Sequence, residues 1–249
     1  MLERLRRHPF AVTAHFRWSL VLAYALPKQV LAPLVPEGLV LDTYDDLAFV
    51  AIALVQTEGL RPKHLPKVFG RDFFLSGYRV FVRFERPGKQ TLRGLRILRS
   101  DTDRRAMVAL GNTFTHYGYR LAKVSERREG PLLELDVSTE NREADLHVVA
   151  DLSDGAGLPD GSPFRSLTDA QKFAGPLPYT FDRDAPTGKI LMVRGLRTSW
   201  STKPVRIVSH TSSFLERPDL AAGSPRLANA FYVEDVPYSW KPGVLEDHG

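Results

Sequence analysis

The segment from residue 73 to residue 124 constrains the fold of this chain more than any other. From Tyr78 to Glu85, aliphatic and aromatic residues at the even positions alternate with Arg79, Phe81 and Arg83 at the odd positions. A period of two places successive side chains on opposite faces of a strand, so the even positions should face a core. Pro87-Gly88 then provides a turn into a partner strand over 90–99. The segment therefore predicts a β-hairpin with arginines on one face.

A helix and a third strand follow the hairpin in the same segment. Ser100 and Asp103 resemble an N-cap pair, and apolar residues then recur at helical spacing up to Phe114. Gly118 can end this helix before a strand begins at Tyr119.

The rest of the chain has the patterns of many short strands and few helices. Strands are expected at 18–26, twice within 39–60, and at 119–127, 131–138, 144–152, 188–199, 203–214 and 229–236. A short helix should follow Pro27, a second should span Leu167–Phe173 with Ser166 as its cap, and the residues after Pro242 should be frayed. Regular alternation of strands and helices is missing, so we expect one mainly β (β-rich α+β) domain over residues 1–249.

Composition excludes several classes of function. The 249 residues include no cysteine, which rules out disulfides, thiolate metal sites and cysteine nucleophiles. The net charge of +5 comes from scattered arginines without an aromatic-rich basic stripe, so no nucleic-acid partner is expected. The apolar run from Trp18 to Leu26 is too short to span a bilayer. We therefore expect a cytoplasmic protein without a membrane partner.

The order of motifs resembles that of a known superfamily. A strand and a short helix are followed by PEGLVLDTYDDLAFVAIALV, then FFLSGYRVFVRF, then a helix that runs into THYGY. This order is similar to that of the acetoacetate decarboxylase-like superfamily, and more closely to its bacterial YqjF-like group, over residues 13–240. The resemblance implies an antiparallel β-barrel or cone with a few short helices around a central pocket.

The resemblance also implies a chemistry that this chain does not repeat. The superfamily's decarboxylases form a Schiff base on a pocket lysine that a second, adjacent lysine activates, and they place a glutamate before the strand at 78–86. None of the nine lysines here has a lysine neighbour, and Phe74, Leu75 and Ser76 stand near the glutamate's position. Lys123 is the only lysine near the reactive position, and an outward orientation is the simpler expectation. We therefore expect no Schiff-base decarboxylation.

Two arginines are candidates for holding a carboxylate. Arg79 resembles a group-typical arginine on the strand that lines the pocket, where its guanidinium would bind a carboxylate in a bidentate pair. The alternatives are an ion pair with Glu85 or Asp72, or a side chain that extends to solvent. Arg17, on the first strand, matches the superfamily's substrate-orienting arginine only loosely.

The remaining candidates surround the THYGY motif. His116 is a candidate general acid or base, with Tyr117 or Tyr119 as a hydrogen-bond donor to an oxyanion. A histidine near a helix C-terminus is also favoured by the helix dipole alone. Glu58 could supply the missing carboxylate, or it is simply an exposed acid at the end of a strand.

The sequence leaves two hypotheses for function open. The first is an enzyme that acts on a small carboxylate or carbonyl compound, with Arg79 for the carboxylate and His116 with Tyr117 for proton transfer. The second is a non-catalytic carboxylate-binding protein with Arg79 as the anchor. Neither requires a cofactor, and the histidine spacing forms no metal motif. Either is compatible with a homo-oligomer.

Overall fold

The computed structural model of the chain describes residues 2–197 and 200–248. Its strands are β1 Val12–Pro27, β2 Val40–Leu41, β3 Leu47–Pro62, β4 Arg71–Phe84, β5 Leu92–Thr102, β6 Tyr119–Glu129, β7 Leu132–Thr139, β8 Leu146–Asp151, β9 Tyr179–Arg183, β10 Ile190–Arg197, β11 Lys203–Pro204, β12 Arg206–Ser212, β13 Arg226–Trp240 and β14 Val244–Glu246. Its helices are α1 Leu2–Leu5, α2 Lys28–Leu31, α3 Arg105–Phe114, α4 Leu167–Ala174 and α5 Pro218–Ala221, and short 3-10 turns lie at Ala32–Leu34 and Lys67–Phe69. The last two positions of the strand predicted over 188–199 lie outside the described residues.

Seven strands pair in a ring. The order is β5, β9, β10, β13, β1, β3 and β4, and β4 pairs again with β5. Neighbours are antiparallel except for β5 and β9, which meet in parallel over only two residue pairs. This narrow contact makes the ring a cone rather than a regular closed barrel. The mainly β, cone-like architecture that the sequence predicts is confirmed.

A four-stranded arm extends from the ring and covers one side of it. The arm runs from β6 through β7 and β8 to β12, and it joins the ring where β6 pairs in parallel with β5. Side chains alternate between the two faces of each strand, which explains how the arm packs on the ring. In β3 the even positions, such as Ile52, face the arm, and the odd positions, such as Ala53, face into the ring. Leu135 of β7 and Phe214 beyond β12 belong to the same buried cluster as Ile52.

The predicted hairpin is confirmed as the pair of β4 and β5. Tyr78, Val80, Val82 and Phe84 are fully buried in the core shared with the arm. Opposite them, the odd positions of β4 from Phe73 to Phe81 lie toward the interior of the ring. The chain therefore builds its core on one face of this strand and its cavity on the other.

The predicted cap of α3 is wrong. Ser100 lies inside β5, and α3 begins only at Arg105, after Arg104, which makes no capping hydrogen bond. Asp103 Oδ1 accepts instead from the Phe74 backbone N–H at 2.8 Å. The β4–β5 ladder thus extends to Thr102 and uses the residues that the local pattern assigned to a helix start.

Other local predictions divide between those that the structure confirms and those that it corrects. The α4 cap is confirmed, because Ser166 Oγ accepts from the Asp169 backbone N–H at 3.1 Å. The residues after Pro242 are not frayed, since β14 pairs with β10. None of the described helices combines the length and the apolar character needed to cross a membrane.

Candidate functional site

The ring encloses a cavity of about 560 Å³. All seven ring strands contribute lining residues, which shows that the cavity is the interior of the cone. Most of the lining is apolar. It includes Val21, Ala51, Ala53, Val55, Leu75, Phe81, Leu95, Ile97, Val193 and Phe231.

Arg79 lies in this lining. Within residues 2–197 and 200–248, its buried Nε has no hydrogen-bond partner and no acidic side chain forms an ion pair with it. The alternative partners are engaged elsewhere. Glu85 lies 3.7 Å from Arg83, and Asp72 Oδ1 accepts from the Gly59 backbone N–H at 2.7 Å. Burial lowers the pKa of Arg79 from its ordinary value, while the nearby tyrosines, with Tyr238 the strongest influence, oppose this shift.

Gly77 has no side chain, which leaves room for the Arg79 guanidinium. A Cβ built at Gly77 would lie 3.2 Å from both Nε and one terminal nitrogen of Arg79. Such a contact is tighter than ordinary van der Waals packing, so with a side chain at this position the guanidinium would have to shift by a few tenths of an ångström.

Tyr117 and Tyr119 reach the cavity through the turn between α3 and β6. Asn112 of α3 holds this turn, since its side chain bonds both the N–H and the carbonyl of Tyr119, at 2.7 and 2.9 Å. Gly118 adopts a positive φ of 60°, which reverses the chain toward β6. The Tyr117 hydroxyl lies 2.8 Å from Thr180 Oγ1 of β9.

Both tyrosines keep their protons at neutral pH. Burial raises the pKa of Tyr117 well above its usual range and that of Tyr119 to about 12. A protonated phenol can donate a hydrogen bond to a carbonyl or carboxylate oxygen. The two hydroxyls are therefore hydrogen-bond donors rather than bases.

His116 points away from the cavity, although its neighbour Tyr117 lines it. Its Nε2 lies 3.9 Å from Asp184 Oδ1 and has no hydrogen-bond partner in the part of the chain that the structure describes. Arg7 binds the same carboxylate through two hydrogen bonds of 2.9 and 2.8 Å. Although burial opposes it, the Arg7 guanidinium holds the pKa of Asp184 below its usual value. The structure thus does not bring His116 together with Arg79.

A different histidine, His8, lines the cavity. It precedes β1 with a positive φ of 52°, and its ring centroid lies 4.8 Å from that of Tyr117. Burial, with a smaller influence from His116, lowers the pKa of His8 to about 3. The imidazole is therefore neutral at physiological pH. The sequence analysis missed His8 because no local pattern connects residue 8 with the turn at Tyr117.

Two other predicted residues lie outside the cavity. Arg17 is exposed, and its guanidinium lies 4.0 Å from the Glu58 carboxylate on the neighbouring strand. Neither belongs to the lining. Glu58 lies near the end of β3, which fits the simpler interpretation of this residue as an acid at a strand end.

An aromatic wall forms another part of the cavity that the sequence analysis missed. Phe16 stacks on Tyr238 at 4.8 Å, and Tyr238 contacts Trp240 at 4.5 Å. The Arg197 guanidinium lies 4.9 Å from the ring of Trp200, which also lines the cavity. These residues come from β1, β10, β13 and the segment after β10, distant parts of the chain that the pairing of β13 with β1 and β10 brings together.

No lysine within residues 2–197 and 200–248 lines the cavity. Lys123 is exposed on β6, at the point where this strand has left the ring for the arm. The one described group with metal-ligand chemistry consists of Glu134, Asp136 and His147, which also lie on the arm and are partly exposed. A pair between His147 Nδ1 and Asp136 Oδ1 at 2.9 Å accounts for their proximity.

The cavity opens to solvent at one end. The exposed members of its lining mark this mouth: Pro9, Arg71, Asp72, Arg104, Ala106 and Leu110. Arg71 and Asp72 begin β4, whereas Arg104 directly precedes α3, and Ala106 and Leu110 lie on it. We call residues 61–72, from the end of β3 to the start of β4, the mouth loop.

This fold and cavity define a β-cone protein with a mostly apolar internal site. The chain belongs to the DUF2071 family, whose description is "Uncharacterized conserved protein (COG2071)" and whose model matches residues 13–244. A relative, the uncharacterized protein YqjF of Bacillus subtilis, is 29% identical over 157 residues. That match covers 61% of this chain and 60% of the relative's length.

Solved structures of the acetoacetate decarboxylase-like fold are similar to the whole chain. Acetoacetate decarboxylase from Legionella pneumophila matches with a TM-score of 0.66 at 14% identity, over 96% of this chain and 88% of its own. The enduracididine biosynthesis enzyme MppR complexed with pyruvate matches with a TM-score of 0.59 at 12% identity, over 96% and 91%. An acetoacetate decarboxylase-like enzyme from Sphingomonas wittichii matches with a TM-score of 0.58 at 12% identity, over 96% and 93%. The family and fold resemblance seen in the sequence is confirmed.

Proposed function

We propose that this protein binds a small carboxylate with an apolar body inside the ring, with Arg79 as the anchor. The observation that carries the proposal is the position of Arg79, inside a mostly apolar cavity and without an acidic partner among the described residues. An unpaired cation in such surroundings is costly to desolvate. A ligand carboxylate offsets that cost through a charge-assisted, bidentate pair.

The other groups in the cavity suit the rest of such a ligand. Tyr117 and Tyr119 can donate hydrogen bonds to the carboxylate or to a carbonyl oxygen beside it. The aliphatic lining and the aromatic wall around Tyr238 offer contact for the apolar body. A volume of about 560 Å³ lies within the range of small-molecule sites.

The proposed function excludes a Schiff base. That chemistry needs an amine that loses its proton inside a dry or cationic pocket. Lys123 is exposed and lies on the arm, and no other described lysine reaches the lining. The ligand is therefore held without covalent attachment, in the cytoplasmic location that the sequence analysis expects.

One observation favours a second candidate, an enzyme that acts on a carboxylate or carbonyl compound. Neutral His8 and protonated Tyr117 lie side by side in the lining, 4.8 Å apart between ring centroids. Such a pair can polarise a carbonyl and move a proton. His116 could take part only if its ring turned from Asp184 toward the cavity, so the geometry favours binding.

Calorimetric titration tests the proposal. Hexanoate and phenylacetate should bind, and the matching alcohols, hexanol and phenylethanol, should bind much more weakly. Arg79→Gln should weaken carboxylate binding by about tenfold to a hundredfold, since hydrogen bonds to charged groups contribute roughly 1.5–3 kcal/mol.

Arg83→Gln is the matched control, because Arg83 lies on the same strand but outside the lining. Equal binding by Arg79→Gln and the parent would refute the anchor. NMR of the ligand during long incubation separates the two candidates, since conversion of the ligand would establish the enzyme.

A further inference from the structure

The mouth loop carries an unusual exposed apolar pair. Val68 is 84% exposed and Phe69 is 59% exposed, the two highest values among the large hydrophobic residues described. They are adjacent on the 3-10 turn at Lys67–Phe69. Leu110, on the part of α3 that lines the mouth, is also exposed. Exposed apolar groups at one place mark an interaction surface more often than chance exposure does.

Cations surround this pair. Lys63, Lys67 and Arg71 are exposed, and none of them forms an ion pair with a described residue. On α3, Arg105 is likewise exposed. The surface around the mouth therefore presents free positive charge beside Val68 and Phe69.

Two acids, Asp72 and Asp103, offset only part of this charge, because the exposed cations around the mouth outnumber them. Asp72 Oδ1 accepts from the Gly59 N–H at 2.7 Å, and Asp103 Oδ1 accepts from the Phe74 N–H at 2.8 Å. Asp103 also pairs with Arg104, whose Nε lies 3.3 Å from its carboxylate.

The loop has a defined shape. The Arg61 side chain donates to the carbonyls of Leu65 and Gly59 at 3.2 and 3.0 Å, and the Phe69 backbone N–H donates to the Pro66 carbonyl at 3.1 Å. Val68 and Phe69 are thus presented to solvent by a hydrogen-bonded turn. Their exposure costs free energy in water, which contact with an apolar phase would recover.

We propose that the mouth loop docks this protein on an anionic lipid surface. Val68 and Phe69 enter the boundary between head groups and acyl chains, and Lys63, Lys67 and Arg71 contact the anionic head groups. Charge complementarity selects this partner, since the loop offers exposed cations beside a small exposed apolar tip. Peripheral contact of this kind requires no membrane-spanning helix, but it departs from the sequence-based expectation of no membrane partner.

The position of the loop gives the docking a role. Arg61, Pro62, Gly70 and Arg71 belong both to the mouth loop and to the cavity lining. Docking would place the opening of a mostly apolar cavity against the source of apolar ligands. The protein would then exchange its carboxylate with the lipid surface.

Vesicle flotation tests the proposal directly. The parent chain should float with phosphatidylcholine vesicles that contain phosphatidylglycerol and should not float with phosphatidylcholine alone. Lys63→Gln with Lys67→Gln should reduce the association constant by about fivefold for each lysine. Val68→Ser with Phe69→Ser should also reduce it at least fivefold and leave the circular dichroism unchanged.

Two controls separate this surface from general charge and hydrophobicity. Lys123→Gln removes an exposed cation on the arm, and Val208→Ser removes a side chain that is 51% exposed on β12. Both should float like the parent. Failure of the parent to bind anionic vesicles would overturn the proposal. So would binding that responds to the lysine changes but not to the change of Val68 and Phe69, which would indicate a polyanion such as an acidic protein.

The test of the docking surface can be separated from the test of the proposed ligand. The loop variants should still bind hexanoate like the parent, because Arg79 and the interior of the ring are unchanged. Loss of vesicle binding with intact hexanoate binding supports the docking surface alone. Loss of hexanoate binding in Arg79→Gln with intact vesicle binding supports the anchor alone.

Discussion

At the scale of single residues, the site depends on side chains whose surroundings fix their charge. Arg79 is a cation without an acidic partner among the described residues, His8 is a histidine that burial keeps neutral, and Tyr117 and Tyr119 are phenols that burial keeps protonated. Together they form a site that attracts negative charge but contains no strong base. This combination explains why binding is favoured over catalysis.

Gly77→Ala should weaken carboxylate binding by severalfold without unfolding the protein. The added methyl group would lie 3.2 Å from the Arg79 guanidinium, which must move to accommodate it. Calorimetric titration with hexanoate measures the effect. Gly157→Ala is the control, because no atom lies within 4 Å of its added Cβ. Unchanged binding in Gly77→Ala would mean that the guanidinium position does not determine affinity.

His8 should make the protein less stable as the pH falls below 6.5. Its pKa is about 3 in the folded state and 6.5 in the unfolded state, so between these values the unfolded chain binds one more proton. Stability therefore rises with pH over this window, by at most about 1.4 kcal/mol per pH unit from this group. His8→Asn tolerates the positive φ and should flatten the dependence measured by urea unfolding. His64→Asn, at an exposed site, should not change it.

At the scale of elements, local patterns predicted those parts of the fold that local interactions determine. The β4–β5 hairpin followed from alternation, and the α4 cap followed from Ser166. The start of α3 was predicted wrongly, because pairing with β4 extends β5 through Ser100. His8, Trp200 and Tyr238 also escaped prediction. These residues line the cavity because distant parts of the chain pack together. The periodicity of apolar residues in the sequence does not reveal such long-range contacts.

Ser166→Ala should destabilise the protein by about 1 kcal/mol, because the Asp169 N–H loses its capping acceptor. Urea unfolding of the two proteins measures the difference. Thr168→Ala changes an exposed hydroxyl in the same helix, for which the structure gives no hydrogen bond, and serves as the control. Equal losses in the two variants would show that the cap contributes nothing specific.

At the scale of the whole molecule, one core joins the ring to the arm. The buried cluster contains Trp18 and Ile52 from the first half of the chain, and Phe181 and Phe214 from beyond residue 155. Shared burial of this kind supports the proposal that residues 1–249 act as a single domain. The same cluster supports the outer wall of the cavity, since β1, β3 and β4 face the arm on one side and the cavity on the other.

Leu135→Ala should therefore destabilise the whole molecule by about 2–5 kcal/mol, as expected for a fully buried leucine. Tryptophan fluorescence and far-UV circular dichroism should report one coincident unfolding transition. Leu132→Ala, at a more exposed position of the same strand, should cost much less. Two separate transitions, with only one shifted by Leu135→Ala, would show that the arm is an independent unit.

The central claim is that the ring binds a carboxylate at Arg79. The most direct measurement is a crystal structure of the protein with hexanoate or phenylacetate bound. We expect the carboxylate oxygens on the Arg79 guanidinium, within reach of the Tyr117 or Tyr119 hydroxyl, and the apolar body against the aliphatic and aromatic lining. A ligand bound with its carboxylate directed to the mouth, away from Arg79, would refute the claim that Arg79 is the anchor.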